Sequence, residues 1–249
     1  MFKVVIPARY ASTRLPGKAL LLLAGKPLLQ WVHERARAAG SEVLIATDDE
    51  RIAATARGFG AEVLMTSAAH VSGTDRIAEV AALRGWDSNQ IVVNAQGDEP
   101  LLPVELIRQV AALLERHRNA DLATLATPID TLAEFLDPNA VKVVTDREQR
   151  ALYFSRAPIP WSRDGANAGL TSQTSWQGAR RHVGLYAYRV GALQRLSALA
   201  PSALELTEKL EQLRALENGF DIRVADCLVS PGPDVNTSAD LARVSALLR

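Results

Sequence analysis

KVVIPARYASTRLPGK, residues 3–18, joins a short apolar run to a loop that carries three cations. The run Val4–Ile6 predicts a β-strand covered on both faces, because continuous apolar residues suit a buried parallel strand. Arg9, Arg14 and Lys18 follow this strand, and ligands in open parallel sheets bind beyond the carboxyl ends of the strands. Guanidinium and ammonium groups pair well with phosphate oxygens, so the loop predicts a triphosphate site.

Strand and helix patterns alternate outward from this stretch. Apolar runs predict strands over 43–46, 61–65 and 91–94, and periodic patterns predict helices over 27–39, 48–57, 75–83 and 103–117. Asp48 is the expected N-cap of the second helix. This order favours βαβ units, so we expect an α/β fold with a mixed, mostly parallel sheet and helices on both faces.

The second half of the chain has a different character. Shorter strands are predicted over 141–145, 151–154 and 182–188, followed by a helix over 203–217, a strand over 222–225 and a last helix from Ser238. Residues 162–178 are rich in Ser, Thr, Gly, Asn and Gln, which predicts a long loop. No internal repeat or linker is evident, so we expect a single domain over 1–249.

Composition narrows the class of protein. The 28 basic residues balance 28 acidic ones, and a nucleic-acid partner is therefore not expected. The single cysteine, Cys227, suits a reducing compartment. The apolar run 19–24 is much shorter than the roughly 20 residues of a membrane span, and the first residues do not resemble a signal peptide. We expect a cytoplasmic protein with no membrane partner.

Two further segments should share the edge of the sheet with the basic loop. Asp98 follows the strand 91–94 and could hold Mg²⁺ together with phosphate oxygens. Residues 72–76, Ser-Gly-Thr-Asp-Arg, precede a helix whose first amides could take an anion or a base edge, although Thr74 or Asp75 could equally be a helix cap. Neither a Walker loop nor a dinucleotide fingerprint follows a strand.

Eight motifs give the chain a resemblance over its full length. They are PARYASTRLPGK at 7–18, ATDDE at 46–50, HVSGTDR at 70–76, NAQGDEP at 94–100, NAVKVV at 139–144, YFSRAPIPW at 153–161, RHVGLYAYR at 181–189 and LEQLR at 210–214. Together these motifs resemble the 3-deoxy-manno-octulosonate cytidylyltransferase family of lipopolysaccharide biosynthesis. The segments at 153–161 and 181–189 separate this family from other sugar nucleotidyltransferases.

The resemblance implies a Rossmann-like nucleotidyltransferase fold, a homodimer, and Mg²⁺ as cofactor. Its reaction would join CTP and the acidic eight-carbon sugar 3-deoxy-manno-octulosonate (Kdo), giving CMP-Kdo and pyrophosphate. Residues 1–130 would mainly bind nucleotide, and 131–220 would mainly serve sugar binding and dimerisation.

The resemblance also implies the roles of individual residues. Catalysis would depend on Arg14, Lys18 and Asp98. Nucleotide would be bound by Pro7, Ala8, Arg9, Ser12, Arg14, Lys18, Ser72, Gly73, Thr74, Arg76 and Gln96. The sugar site would be lined by Gln96, Arg156, His182, Tyr186, Glu211 and Gln212. Asp98 would bind metal.

The charge and spacing of individual side chains agree with part of this assignment. The carboxylate of the sugar needs a cation, and Arg156 is a candidate. Glu208, Glu211 and Gln212 would share one face of a continuous helix, with Leu206, Leu210, Leu213 and Leu216 as its apolar stripe. A solvated helix face is the plainer interpretation of the same spacing.

One position departs from the family pattern. A second metal-binding Asp is usual near the C-terminus, and Asn236 stands at the matching position. An amide oxygen can coordinate Mg²⁺ without contributing charge, and Asp234 is a possible substitute. Other interpretations stay open: a cytidylyltransferase for amino-Kdo or a sialic acid, a glycosyltransferase that uses a nucleotide sugar, and a non-catalytic nucleotide-binding protein.

Overall fold

A computed structural model describes residues 1–11, 15–40, 42–165 and 169–248 of the chain. The first half contains β1 (Lys3–Ala8), a hairpin of β2 (Leu22–Leu23) and β3 (Lys26–Pro27), α1 (Leu28–Ala38), β4 (Glu42–Thr47), α2 (Glu50–Gly58), β5 (Glu62–Met65), α3 (Gly73–Leu83), β6 (Ile91–Asn94) and α4 (Val104–Arg116).

The second half of the chain begins with a strand. Its elements are β7 (Leu122–Pro128), α5 (Leu132–Leu136), β8 (Lys142–Thr145), β9 (Ala151–Ser155), β10 (Arg180–Arg189), α6 (Val190–Ser197), α7 (Ala203–Glu208), α8 (Gln212–Glu217), β11 (Ile222–Asp226) and α9 (Ser238–Leu247). Within the parts of the chain that the structure describes, no helix is long and apolar enough to cross a lipid bilayer.

The main sheet has the strand order β11-β7-β10-β6-β1-β4-β5, with β8 attached to β10 and β9 attached to β8. β1 pairs in parallel with both β4 and β6, whereas β10 runs antiparallel to β6 and β7. The expected mixed, mostly parallel sheet is therefore confirmed. The chain extends from β1 to β4 and β5 on one side and then crosses back to β6 on the other. This reversal opens a crevice at the carboxyl ends of β1 and β6.

Helices cover both faces of the sheet. Val4 and Ile6 of β1 belong to a core layer formed with α1, α2, α4 and α9, whereas Val5 belongs to a second layer with α3, α6 and α8. Successive side chains of a strand point to opposite faces, so a run of consecutive apolar residues is needed where both faces are covered.

β7 is a strand that the sequence prediction missed. It lies between β11 and β10, and two threonines interrupt its apolar run. Thr124 is fully buried, with its Oγ1 3.0 Å from the carbonyl oxygen of Val183 and 2.9 Å from that of Leu185. These carbonyls lie where the pairing of β10 with β7 shifts register. The hydroxyl of Thr124 therefore hydrogen-bonds main-chain carbonyls at a β-bulge. No local sequence pattern reveals this contact.

The predicted N-cap of α2 was wrong by one residue. Asp49 caps the helix, accepting from the amides of Arg51 at 2.9 Å and Ile52 at 3.4 Å. Asp48 instead pairs with Arg76, with 3.2 Å between Oδ2 and Nη2. The adjacent carboxylates are equally good caps by type, and the ion pair to α3 decides which one performs that role.

The predicted continuous helix over 203–217 was also wrong. α7 ends at Glu208, Lys209 takes a left-handed conformation at φ 55°, and α8 starts at Gln212. Glu208 thus does not share a helix face with Glu211 and Gln212. Leu206 is 53% exposed, while Leu210 and Leu213 are buried, so the predicted apolar stripe is broken as well.

The predicted loop 162–178 contains short 3₁₀ turns at Arg163–Gly165 and Leu170–Ser172 in its described parts. Gln173 is only 2% exposed and donates from Nε2 to the carbonyl of Ser162 at 3.2 Å. Trp176 packs against Ile129 and Phe135. The bond from Gln173 therefore ties the loop to its own start, and Trp176 attaches its C-terminal end to the body of the protein.

Candidate active site

A cavity of about 500 Å³ opens at the crevice between β1 and β6. Its walls come from the loop after β1, the start of α3, the segment after β6, one side of β10 and the start of α8. The predicted site residues that line it are Pro7, Ala8, Arg9, Lys18, Ser72, Gly73, Thr74, Arg76, Gln96, Asp98, His182, Tyr186, Glu211 and Gln212. Ser12 and Arg14 lie outside the described residues.

Lys18 belongs to one wall of the cavity. Gly17, at φ +66°, donates its amide to the carbonyl of Tyr10 at 3.0 Å and so closes the loop just before Lys18. The ammonium of Lys18 then lies 2.8 Å from Asp98 Oδ2 and 2.9 Å from the carbonyl oxygen of Val235. The side chains of Lys18 and Asp98 are only 17% and 24% exposed. A cation and a carboxylate thus face each other at the cavity wall.

More acidic groups surround Asp98. Burial, and then the negative charges of Asp98 and Asp234, raise the pKa of Glu99 to about 8. The amide of Val235 donates to the Asp98 carbonyl at 2.9 Å, which holds the segment 234–236 beside the strand end. Asn236 donates from Nδ2 to Asp234 Oδ2, so these two side chains do meet.

Asp98 and the acidic groups near it suit a hard cation that is also coordinated by a bound ligand. Mg²⁺ commonly takes one or two carboxylates and fills its remaining positions with phosphate oxygens and water. In the described ranges, no group of three or more His, Cys, Asp or Glu side chains is arranged to hold a metal. Asp98 and its acidic neighbours fit a metal that phosphate oxygens help to bind, because such a cation would offset the negative charges that add to the effect of burial on the Glu99 pKa.

The start of α3 forms the opposite wall. Ser72 caps this helix, accepting from the amide of Asp75 at 3.1 Å, so neither Thr74 nor Asp75 is the cap. Arg76 is only 3% exposed, and its guanidinium bonds Thr66 Oγ1 and pairs with Asp48. A buried guanidinium needs such partners, and they fix its orientation at the cavity wall.

β10 supplies the third wall through alternate residues. His182, Gly184, Tyr186 and Tyr188 all line the cavity, as the two-residue period of a strand requires. Gln96 reaches across and donates from Nε2 to the Gly184 carbonyl at 2.8 Å. A Cβ at position 184 would lie 2.5 Å from that nitrogen, so Gln96 could not keep this position beside a larger residue.

Glu211 completes the cavity beside the break at Lys209. Burial raises the pKa of its carboxyl, the hydroxyl of Thr74 and the charge of Arg214 lower it, and the charges of Asp75 and Glu205 raise it. The net shift is upward, so this carboxyl binds a proton more readily than an exposed glutamate does.

Comparison with known proteins identifies the family. The cytidylyltransferase family model matches residues 3–222. The 3-deoxy-manno-octulosonate cytidylyltransferase of Thioalkalivibrio sulfidiphilus is 59% identical over 250 residues, covering 100% of this chain and 99% of its own. The chain belongs to this cytidylyltransferase family. The corresponding protein of Pseudomonas fluorescens is 54% identical over 248 residues, covering 99% of this chain and 98% of its own.

Solved structures agree with the family and the fold. A CMP:2-keto-3-deoxy-manno-octonic acid synthetase, solved with CTP, superposes with a TM-score of 0.88 at 40% identity, covering 100% of this chain and 98% of its own. A cytidylyltransferase from Leptospira borgpetersenii superposes with a TM-score of 0.62 at 17% identity, covering 98% and 85%, which shows the fold alone. The nucleotidyltransferase fold expected from the family resemblance is confirmed.

Arg156 is the sugar-site residue predicted from the cytidylyltransferase family that does not line the cavity. Its Nε donates to the carbonyl of Glu208 at 2.6 Å, and its Nη1 donates to the carbonyl of Pro138 at 2.8 Å. These two bonds use two of the five N–H donors of the guanidinium and hold it against the main chain. Asp234 and Asn236, the predicted second metal position, also lie outside the lining and reach Asp98 through Val235.

Some residues at the site of this cytidylyltransferase were missed by sequence reasoning. His70 lines the cavity, with its Nε2 2.5 Å from Glu79 Oε2. It stands two residues before Ser72, within the motif HVSGTDR at 70–76. Tyr188 and Gly184 could have been found from the alternation of β10, and Glu99 from its place beside Asp98 in the sequence.

His182 should remain neutral across the physiological pH range. Burial, and then the charge of Arg181, lower its pKa to about 3. Its ring packs on Phe154 and Tyr186, and its Nε2 lies 3.0 Å from Thr124 Oγ1. The unfolded chain therefore binds a proton near the usual histidine pKa, and the folded protein does not.

Because the unfolded state then binds more protons, stability falls as pH decreases below about 6.5. We expect His182 to contribute a loss of about 1.4 kcal/mol in the free energy of unfolding between pH 7.5 and 5.5. A His182→Asn variant should lose that much less than wild type, as measured by urea unfolding at both pH values. Between pH 7.5 and 8.5 the two proteins should change in parallel. Equal losses of unfolding free energy in the two proteins between pH 7.5 and 5.5 would contradict the lowered pKa of His182.

Proposed function

We propose that the protein transfers CMP from CTP to the anomeric hydroxyl of Kdo, giving CMP-Kdo and pyrophosphate for lipopolysaccharide biosynthesis. The observation that carries this proposal is the pairing of Lys18 with Asp98 at the cavity between β1 and β6. That wall offers a cation for polyphosphate and a carboxylate for a divalent metal in one place. Family membership supports the choice of substrates.

The reaction is an in-line displacement at the α-phosphorus of CTP. The anomeric oxygen of Kdo forms the new P–O bond, the bond to the bridging oxygen of pyrophosphate breaks, and the hydroxyl proton is released. Lys18 and Arg9 stabilise the negative charge that develops on pyrophosphate, and the sequence assigns Arg14 to the same role. Positioning and charge neutralisation provide most of the acceleration in such transfers.

Mg²⁺ is the proposed cofactor, and Asp98 would hold it. When bound, the ion neutralises phosphate charge and polarises the phosphoryl group. Lys18 and Asp98 neutralise each other in the free protein, so both are kept at the cavity wall in defined positions. When nucleotide and metal bind, phosphate would replace Asp98 as the partner of Lys18, and the metal would replace Lys18 as the partner of Asp98.

The acceptor would lie between β10 and α8. Gln96, His182, Tyr186, Glu211 and Gln212 line this part of the cavity. Because burial raises the Glu211 pKa, its carboxyl takes up a proton, and so loses its repulsion of an acidic sugar, at a higher pH than an exposed glutamate would. His182, kept neutral, contacts Thr124 through Nε2, which leaves Nδ1 for one hydrogen bond with a sugar hydroxyl.

Substrate choice can be tested with a pyrophosphate-release assay. Kdo is offered with CTP, UTP, ATP or GTP, with and without Mg²⁺, and CTP is also offered with amino-Kdo and a sialic acid. We expect release with CTP, Kdo and Mg²⁺, and little with the other combinations. A preference for amino-Kdo or the sialic acid would identify that sugar, and not Kdo, as the acceptor. CTP binding without pyrophosphate release would contradict an enzymatic role, and release of nucleoside diphosphate from a nucleotide sugar would indicate a glycosyltransferase.

Removing either member of the central pair should impair turnover. Lys18→Ala or Asp98→Asn is expected to lower kcat by roughly 10²–10³, the loss typical of one charge-stabilising contact in a site shielded from water. Lys26→Ala is a matched control, because Lys26 forms an exposed ion pair with Glu34 in the β3–α1 region. The control should keep the wild-type rate. Near-normal turnover in both site variants would remove Lys18 and Asp98 from the mechanism.

We also propose a homodimer in the cytoplasm. Several large apolar side chains of residues 131–220 are exposed in the single chain: Leu152, Trp161, Leu170 and Leu206. A second copy would remove such groups from water. Sedimentation analysis should give the mass of two chains, and the mass of one chain at micromolar concentration would contradict the dimer.

A further inference from the structure

Glu208 is a polar residue beside the site that the proposed chemistry does not use. It ends α7, three positions before Glu211, which lines the cavity. Its own side chain points elsewhere, to β9. Oε1 accepts from the hydroxyl of Ser155 at 2.6 Å, and Oε2 accepts from the amide of Arg156 at 2.8 Å.

Arg156 returns this contact. Its Nε donates to the main-chain carbonyl of Glu208 at 2.6 Å. The side chain of each residue therefore bonds the main chain of the other, and the two backbones are held at a fixed separation. We call this set of bonds among Ser155, Arg156 and Glu208 the α7–β9 clamp. Arg156 is also bonded to the carbonyl of Pro138, which fixes its guanidinium from the far side.

The β9 end of the clamp rests on a rigid base. Ser155 pairs with Lys142 of β8 in the sheet, and Lys142 is fully buried, with its ammonium 2.8 Å from the carbonyl oxygen of Asp137. Buried and hydrogen-bonded groups of this kind have little freedom to move. The clamp therefore transmits the position of the β8–β9 pair to the end of α7.

The α7 end leads directly into the cavity wall. Lys209 follows Glu208 with φ 55° and ψ 46°, a conformation that a non-glycine residue keeps only where its surroundings impose it. On the other side of this turn, Arg214 of α8 pairs with Glu205 of α7 at 2.9 Å. The turn at 209–211 is thus held by the clamp before it and by an ion pair across it. Glu211 and Gln212 emerge from this turn toward the cavity.

We propose that Glu208 is a positioning residue for the acceptor sugar: through the α7–β9 clamp it sets where Glu211 and Gln212 enter the cavity. This inference rests on the proposed function, because the sugar side of the cavity is assigned there. It gives Arg156 a role in the same clamp, through the main chain of Glu208. The nucleotide side of the cavity is built from β1, α3 and β6, and the clamp does not touch it.

The test compares three variants by steady-state pyrophosphate release. Glu208→Ala removes both acceptor oxygens, and we expect kcat/KM for Kdo to fall about tenfold to a hundredfold, as small displacements of positioning groups do. The KM for CTP should stay within about twofold of wild type. Glu208→Gln keeps one oxygen for the Arg156 amide and can donate to the Ser155 hydroxyl, so it should recover much of the loss. Ser155→Ala removes one bond of the clamp, together with the bond that its hydroxyl accepts from the Ala157 amide at 3.0 Å, and should show a smaller change in the same direction.

Ser202→Ala is the matched control. It removes the hydroxyl that caps α7, which accepts from the amide of Glu205 at 3.3 Å, and leaves the clamp in place. This variant destabilises the same helix but should keep wild-type kinetics for Kdo. An equal loss in Ser202→Ala and Glu208→Ala would mean that the clamp acts only through stability. Unchanged Kdo kinetics in Glu208→Ala would overturn the proposal.

Hydrogen exchange gives a measurement that does not depend on the acceptor. The amides of Leu210 and Leu213 bond the carbonyls of Glu205 and Leu210 at 3.3 and 3.1 Å across the turn. Glu208→Ala should increase exchange at both amides and leave exchange in α3 unchanged. If wild type released no pyrophosphate with Kdo, the proposed function would fail. Hydrogen exchange in Glu208→Ala would then still test whether the clamp holds the turn. Unchanged protection of Leu210 and Leu213 would then overturn it.

Discussion

The ammonium of Lys18 joins three distant parts of the chain at one point. It bonds the carboxylate of Asp98 after β6 and the carbonyl of Val235 before α9, while its own loop follows β1. A largely buried charge is tolerated only with such partners, because desolvation without them is costly. The same pairing keeps a cation and a carboxylate ready at the cavity wall. The chemistry proposed for CTP and its metal depends on that arrangement.

The sheet brings the acceptor side to this point. The crossover at β1 exposes the carboxyl ends of β1 and β6, and the antiparallel strand β10 lies directly beside β6. Because alternate residues of a strand share a face, β10 presents His182, Tyr186 and Tyr188 to the cavity. Gly184 lets Gln96 cross to this strand. The residues proposed to bind nucleotide and sugar thus lie at one sheet, and the end of α7 is attached to the same sheet through Glu208.

Most of the fold could be predicted from local patterns. Continuous apolar runs marked β1, β4 and β6, and their boundaries fell within two residues of the observed ones. The failures have a common cause. β7 was missed because Thr124 is satisfied by carbonyls of β10, and the helix 203–217 was predicted as continuous because helix propensity does not show that Lys209 is held in a left-handed turn. Asp48 and Asp49 are equivalent caps until Arg76 pairs with the first.

By itself, the sequence determined the family, the α/β class and the segments that meet at the cavity, because strand periodicity and motif residues are properties of short stretches. Only the tertiary structure decided which side chains face one another. Lys18 and Asp98 are 80 positions apart, and their contact follows from the order of strands in the sheet. The same is true of Arg156, whose charge suggested a sugar ligand and whose guanidinium, bonded to Glu208 and Pro138, lies outside the lining of the cavity. Contacts of this kind depend on which surfaces the fold brings together, and no local pattern contains that information.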